Sequence, residues 1–142
     1  MITVENKTHG FYVTLSGTIT AEEIREYEAQ VNRQWLVTDG PRSSILDMRE
    51  LVIPHGNEMS MFADFFHRSR ESGLQRLAVV VKSPVLKARA IQLAFEVDGT
   101  EMIRFFDASR TPDWLEQCND WVMHALDPID LHIEDTGKIR TS

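Results

Sequence analysis

The residues of this sequence most able to do chemistry are Asp47 and Arg49, two apart in Ile45-Leu-Asp-Met-Arg-Glu-Leu51, and Asp107 with Ser109 further along. An Asp where a strand ends serves as a general base when a substrate proton comes within reach, and an Arg beside it fixes an anionic group. An Asp in that position also serves as an acceptor for the N–H groups of the following loop. The residue types alone leave both roles open. Ser109 reads as a cap rather than a nucleophile.

His9, His55, His67, His124 and His132 are scattered, and no HExxH, paired histidine or Cys/His knuckle occurs, so metal binding is not expected. His55 alone falls in a loop that follows a strand, near where a ligand would bind. Cys118 lies between Trp114 and Trp121 at helical spacing, which predicts a buried structural thiol. No GxGxxG, Walker loop or GxSxG elbow is present, and no cofactor is expected.

Elements that alternate along the chain position these residues. Ile2-Thr-Val4 and Phe11-Tyr-Val-Thr-Leu15 predict a β-hairpin around the loop Asn6-Lys-Thr-His-Gly10. Thr20-Ala-Glu-Glu23 has the form of a capping box, and Ile24, Tyr27, Val31 and Trp35 continue it as one helical stripe ending before Asp39-Gly-Pro41. Ser44 to Met48 predicts a strand, with a loop from Arg49 to Gly56. Asn57 then caps a helix to about Ser72, closed by Gly73. Leu77-Ala-Val-Val-Val81 is apolar on both faces, as a central parallel strand should be. Ser83-Pro84 opens a third helix, Met102 to Phe106 predicts a fifth strand, and Thr111-Pro112 opens a last helix that ends at Asp127-Pro128.

The order is ββαβαβαβα, an α/β protein with a five-stranded, mostly parallel sheet, an N-terminal hairpin and four helices. Residues 1–126 form the expected domain, and 127–142 a tail that adds an edge strand through Ile129, Leu131 and Ile133 or stays mobile. Open α/β sheets bind ligands at the carboxyl ends of their strands. Here that edge carries Ser16-Gly17, Asp47 to Arg49, Lys82-Ser83 and Asp107 to Ser109, beside helix starts capped by Thr20, Asn57, Ser83 and Thr111.

Composition narrows the function classes. A net charge of −7 argues against nucleic acid, whose phosphates call for clustered Lys and Arg. No run approaches the ~18 apolar residues of a membrane span, and the first residues lack the basic and apolar pattern of a signal peptide. A cytoplasmic location is expected, which a single cysteine fits.

Leu15-Ser-Gly-Thr-Ile-Thr-Ala-Glu-Glu23, Ile45 to Leu51 and Val79-Val-Val-Lys-Ser-Pro84 resemble the SpoIIAA-like proteins, a group related to STAS domains and including anti-sigma-factor antagonists. The resemblance covers about residues 2–126 and implies a (βα) superhelix with most helices on one face of the sheet. The other face, mixed in polarity, would be half covered and suited to self-association as a homodimer. The resemblance also implies a non-enzymatic regulatory module that binds a protein partner. STAS antagonists are phosphorylated in an Asp-Ser-Ser-Gly loop, and the matching stretch here, His55-Gly-Asn-Glu58, has no hydroxyl. Some members of the group are compared with CRAL-TRIO proteins, which implies the alternative of an apolar or lipid-like ligand.

Met59, Met61, Phe62, Phe65 and Phe66 spread around the second long helix too widely for one stripe, which predicts exposure of Met61 and Phe65. The expected partner or ligand surface is therefore Asp47, Arg49, His55, Asn57, Met61 and Phe65.

Overall fold

The structure is a computed structural model, and residues 1–128 are described. The expected tail beyond Pro128 lies outside the described residues. The elements are β1 (Ile2–Lys7), β2 (Gly10–Gly17), α1 (Ala21–Val37), β3 (Ser43–Leu51), α2 (Glu58–Glu71), β4 (Leu77–Val81), α3 (Pro84–Glu96), β5 (Ile103–Asp107) and α4 (Trp114–His124). The five strands form one sheet in the order β1-β2-β3-β4-β5. Only β1 and β2 pair antiparallel, and the other neighbours are parallel.

Local chemistry sets the element starts. At α1 the Thr20 hydroxyl accepts from the Glu23 N–H at 3.2 Å while Glu23 accepts from the Thr20 N–H, which completes the capping box. At α3 Ser83 Oγ accepts from the Leu86 N–H at 3.3 Å, with Pro84 in the first turn where its missing N–H costs nothing. The hairpin is tighter than its sequence predicts. β1 and β2 pair as far as Lys7 and Gly10, leaving Thr8 and His9 as the turn. Gly10 has φ of +137°, and a Cβ there would lie 2.1 Å from the Ser43 carbonyl oxygen, so only glycine fits.

β3 is longer than expected. It continues past Met48 to Leu51 beside β2, through an irregularity at which Thr14 pairs with Asp47 but Ser16 with Glu50. The extra residue on β3 is a β-bulge, which re-aims the side chains around it. α4 starts later than Thr111-Pro112 suggests: Thr111 closes a turn on the Asp107 carbonyl at 3.0 Å, and Asp113 is the N-cap residue of the helix.

The largest departure from expectation concerns the second face of the sheet. The right-handed crossovers β2-α1-β3, β3-α2-β4 and β4-α3-β5 advance in one direction, and so put three helices on one face. There Val13, Leu15, Ile24, Val31, Leu46, Phe62, Val79 and Leu86 make the main core. α4 follows the last described strand and has no crossover to make, so it folds back over the opposite face. Cys118, Trp121 and Val122 cover Ile45, Ala78, Val80 and Phe106 in a second core. Each of these side chains would forfeit ~1.5–3 kcal/mol if left in water, apart from the smaller Ala78 and Cys118. The apolar part of this face is therefore not free for self-association.

Candidate functional site

Asp47 projects from β3 toward the α4 face, and the bulge that follows it turns Arg49 to the same side, over Trp114. Asp47 is buried at 4% relative exposure and lies inside β3, not at its end as expected. Its pairing with Val80 is the last between β3 and β4 before the bulge. Arg49 donates to it in a fork, Nε to Oδ1 at 2.9 Å and Nη2 to Oδ2 at 2.8 Å, and the Arg49 backbone N–H donates to Oδ1 at 3.2 Å. The Tyr12 hydroxyl, from the neighbouring β2, donates to Oδ2 at 2.7 Å. The guanidinium lies over the Trp114 ring at 4.4 Å from its centroid, at the start of α4.

Burial pushes the Asp47 carboxyl up, but the hydrogen bonds from Arg49 and Tyr12 outweigh it and hold the group below the ordinary Asp value. Burial and the bond to Asp47 push the Tyr12 phenol well up, so it stays a donor. A carboxylate so saturated and so weakly basic is a poor general base. Tyr12 and Trp114 complete the cluster and were not singled out for it in the sequence. The signal for Tyr12 was its place on the same sheet face, two residues ahead of Thr14.

Asp107 Oδ1 accepts from the Ser109 N–H at 3.0 Å and from the Ser109 hydroxyl at 2.5 Å, a self-contained turn. Lys82 reaches Glu50 at 3.3 Å across the same sheet edge, both exposed. Among the described residues no three His, Cys, Asp or Glu side chains are grouped to hold a metal ion. Cys118 is fully buried, and burial pushes its thiol well up, away from reactivity.

The other expected site residues lie across the sheet from Asp47. The β3–α2 loop is pinned at its start by the Val52 N–H on the Gly17 carbonyl at 3.0 Å, and at buried Pro54, whose carbonyl accepts from Arg89 Nη1 at 2.8 Å. His55, Gly56 and Asn57 form its exposed tip. Asn57 is the N-cap residue of α2, but its side chain makes no capping bond. Glu58 turns back instead: its Oε2, buried and without a hydrogen-bond partner among the described residues, lies 2.7 Å from where a Cβ at Gly56 would sit. Ser60 lies in the first turn of α2 and is exposed.

The expected exposure of Phe65 is overturned. Phe65 is 5% exposed and meets the Tyr27 ring edge-on at 4.9 Å. α2 packs on the sheet and also between α1 and α3, so its buried arc is wider than a single stripe and takes in Met59, Phe62, Phe65 and Phe66. Met61 is half-buried and rests against the same core. The six residues thus fall into three settings: a half-buried ion pair beside α4, an exposed loop tip, and the flank and underside of α2. Between α2, α3 and the sheet lies an apolar recess of about 60 Å³, lined by Met59, Phe62, Ala90 and Leu93 among others. Small-ligand pockets run to ~300–1,000 Å³, so this recess has no room for an acyl chain.

No protein-family model matches the chain, and no curated protein matches it significantly. Among solved structures it is similar to the Bacillus cell fate determinant SpoIIAA in its phosphorylated form. The TM-score is 0.56 at 10% identity, over 81% of this chain and 99% of that one. It is equally similar to the anti-sigma factor antagonist SpoIIAA in its unphosphorylated form, with a TM-score of 0.55 at 11% identity over 82% and 96%. The chain has the SpoIIAA-like (STAS) fold. Identity this low carries the architecture and no residue role. No helix among the described residues is long and apolar enough to cross a membrane.

Proposed function

We propose that this chain is a non-enzymatic regulatory module of the cytoplasm, which binds a protein partner through the β3–α2 loop and the exposed flank of α2. The observation that carries this reading is the loop itself. It is pinned at Val52 and Pro54, and the tip that follows, His55, Gly56 and Asn57, stands in water at the start of a long helix. A rigid loop on a packed scaffold loses little entropy when a partner binds, which is why recognition collects at such places. The SpoIIAA fold supports a regulatory role for the scaffold. The saturated Asp47 and the turn-bound Asp107 support the absence of catalysis.

The loop has no hydroxyl between His55 and Glu58, and the carboxylate of Glu58 lies over Gly56 at the positive end of the helix. In our reading the surface is held in one acidic state and is not switched by a phosphate. Native mass spectrometry of the protein captured from its own cells tests both points. The expected result is a stoichiometric second protein, lost with the double variant His55→Glu, Asn57→Arg, and no phosphate on residues 55–60. Unaltered binding by that variant removes the loop from the interface. A phosphate on Ser60 overturns the fixed-state reading.

A further inference from the structure

α3 is the outermost helix of its layer, packed against α2, β4 and β5, and its outward side is unusually apolar. Val85 is 60% and Phe95 70% exposed, and Ala88 and Gln92 are exposed between them. Residues 85, 88, 92 and 95 recur at the spacing of three and four that draws one stripe along a helix. The inner side, through Leu86, Ala90 and Ala94, is already committed to the core.

The charges of α3 run against its own dipole. Its first turn holds no acidic residue and its last turn no basic one. Lys87 and Arg89 stand toward the start, whereas Glu96 ends the helix and Asp98 follows. Stable isolated helices place these signs the other way round. Neither Lys87 nor Glu96 has a charged partner among the described residues.

An antiparallel copy of the same helix resolves both anomalies. It sets the basic start of one α3 against the acidic end of the other, opposes the two dipoles, and covers Val85 and Phe95 twice over. A two-fold axis near Ala90 does this, since it sets Val85 of one copy opposite Phe95 of the other and Ala88 opposite Gln92. A parallel pair would instead bring Lys87 against Lys87 and Glu96 against Glu96. Isologous contacts of this kind close on themselves and stop at two copies.

We propose that the protein forms a homodimer through antiparallel packing of α3 on α3, a surface distinct from the β3–α2 loop. Sedimentation velocity over a wide concentration range tests this. The wild type is expected to dimerise, and Phe95→Glu to raise the dimer Kd by on the order of thirty-fold or more with an unchanged circular dichroism spectrum. Val85→Glu repeats the test should Phe95→Glu fold poorly. A mixture of Ala88→Cys and Gln92→Cys chains should cross-link one to the other on oxidation, because Cys118 is buried. A wild type that stays monomeric overturns the proposal, as does a dimer indifferent to Phe95→Glu and Val85→Glu. An α3 that holds a different protein while the chain stays monomeric overturns it too.

Discussion

Replacing Asp47 by Asn separates a structural ion pair from a catalytic one. The carboxylate takes both arms of the Arg49 fork, the Arg49 backbone N–H and the Tyr12 hydroxyl, at 2.7–3.2 Å. An amide keeps one acceptor oxygen and turns an NH2 toward a donor. At least one charge-assisted bond is then lost, worth ~1.5–3 kcal/mol. Breaking a fully buried ion pair costs about 3–5 kcal/mol, mostly from the stranded partner. That ceiling does not apply here, because the Arg49 side chain is 38% exposed and can return to water. The expected loss is about 2 kcal/mol, a large part of a typical ~5–15 kcal/mol domain stability. Urea unfolding followed by tryptophan fluorescence measures it as a lowered midpoint with an unchanged slope.

The same variant has a pH signature. The Asp47 pKa is lower in the fold than its ordinary 3.8. The unfolded chain therefore binds the proton first, and the carboxylate stabilises the fold fully above that value. Its contribution fades as pH falls through the folded pKa. The gap between wild type and Asp47→Asn should be constant from neutral pH down to about 5 and close below about 4. A gap under about 0.5 kcal/mol at pH 7, or one that widens as pH falls, would falsify the claim that Asp47 is held as a hydrogen-bonded carboxylate.

Phe65→Ala should cost about 3–5 kcal/mol in the same urea assay, as deletion of a core aromatic does, whereas Met61→Ala at the half-buried neighbour should cost clearly less. Gly10→Ala should lose more than about 3 kcal/mol, since positive φ and a Cβ against the Ser43 carbonyl strike together; a loss near the ~1 kcal/mol of an ordinary Gly position would refute the close approach. Cys118 should resist Ellman's reagent in the native protein and react only on unfolding, so fast native labelling would mean that α4 opens from the sheet.

The class of fold was legible because periodicity and capping act locally. The five apolar residues Leu77–Val81 are fully accounted for by burial on both sides, and Thr20 with Glu23 makes both bonds of its box. What was not legible depended on partners distant in sequence. The bulge that lengthens β3 follows from pairing with β2, more than thirty residues away, and no property of Met48 or Arg49 announces it. Phe65 looked surplus to one stripe because the sequence does not say that α2 has helices on both sides of it. The side taken by α4 was hidden for a topological reason. Crossover handedness governs only helices that lead to another strand, so the last described helix is placed by the apolar residues left uncovered.

That placement explains why the most chemical-looking pair in the sequence is saturated with internal hydrogen bonds. α4 is fastened at both ends by an arginine from the sheet lying on one of its tryptophans, Arg49 on Trp114 at 4.4 Å and Arg104 on Trp121 at 4.1 Å. Each guanidinium is held by a carboxylate, Asp47 in the first case and Asp127 in the second. The Trp121 indole also donates to the Leu77 carbonyl at 3.2 Å. A cation on an aromatic face is worth ~0.5–2 kcal/mol, and its planar geometry sets position as well as energy. Asp47 and Arg49 are thus one of two clamps that close the second face of the sheet. The loop before α2 and the outward stripe of α3 lie away from these clamps, and the variants proposed for each leave the clamps intact.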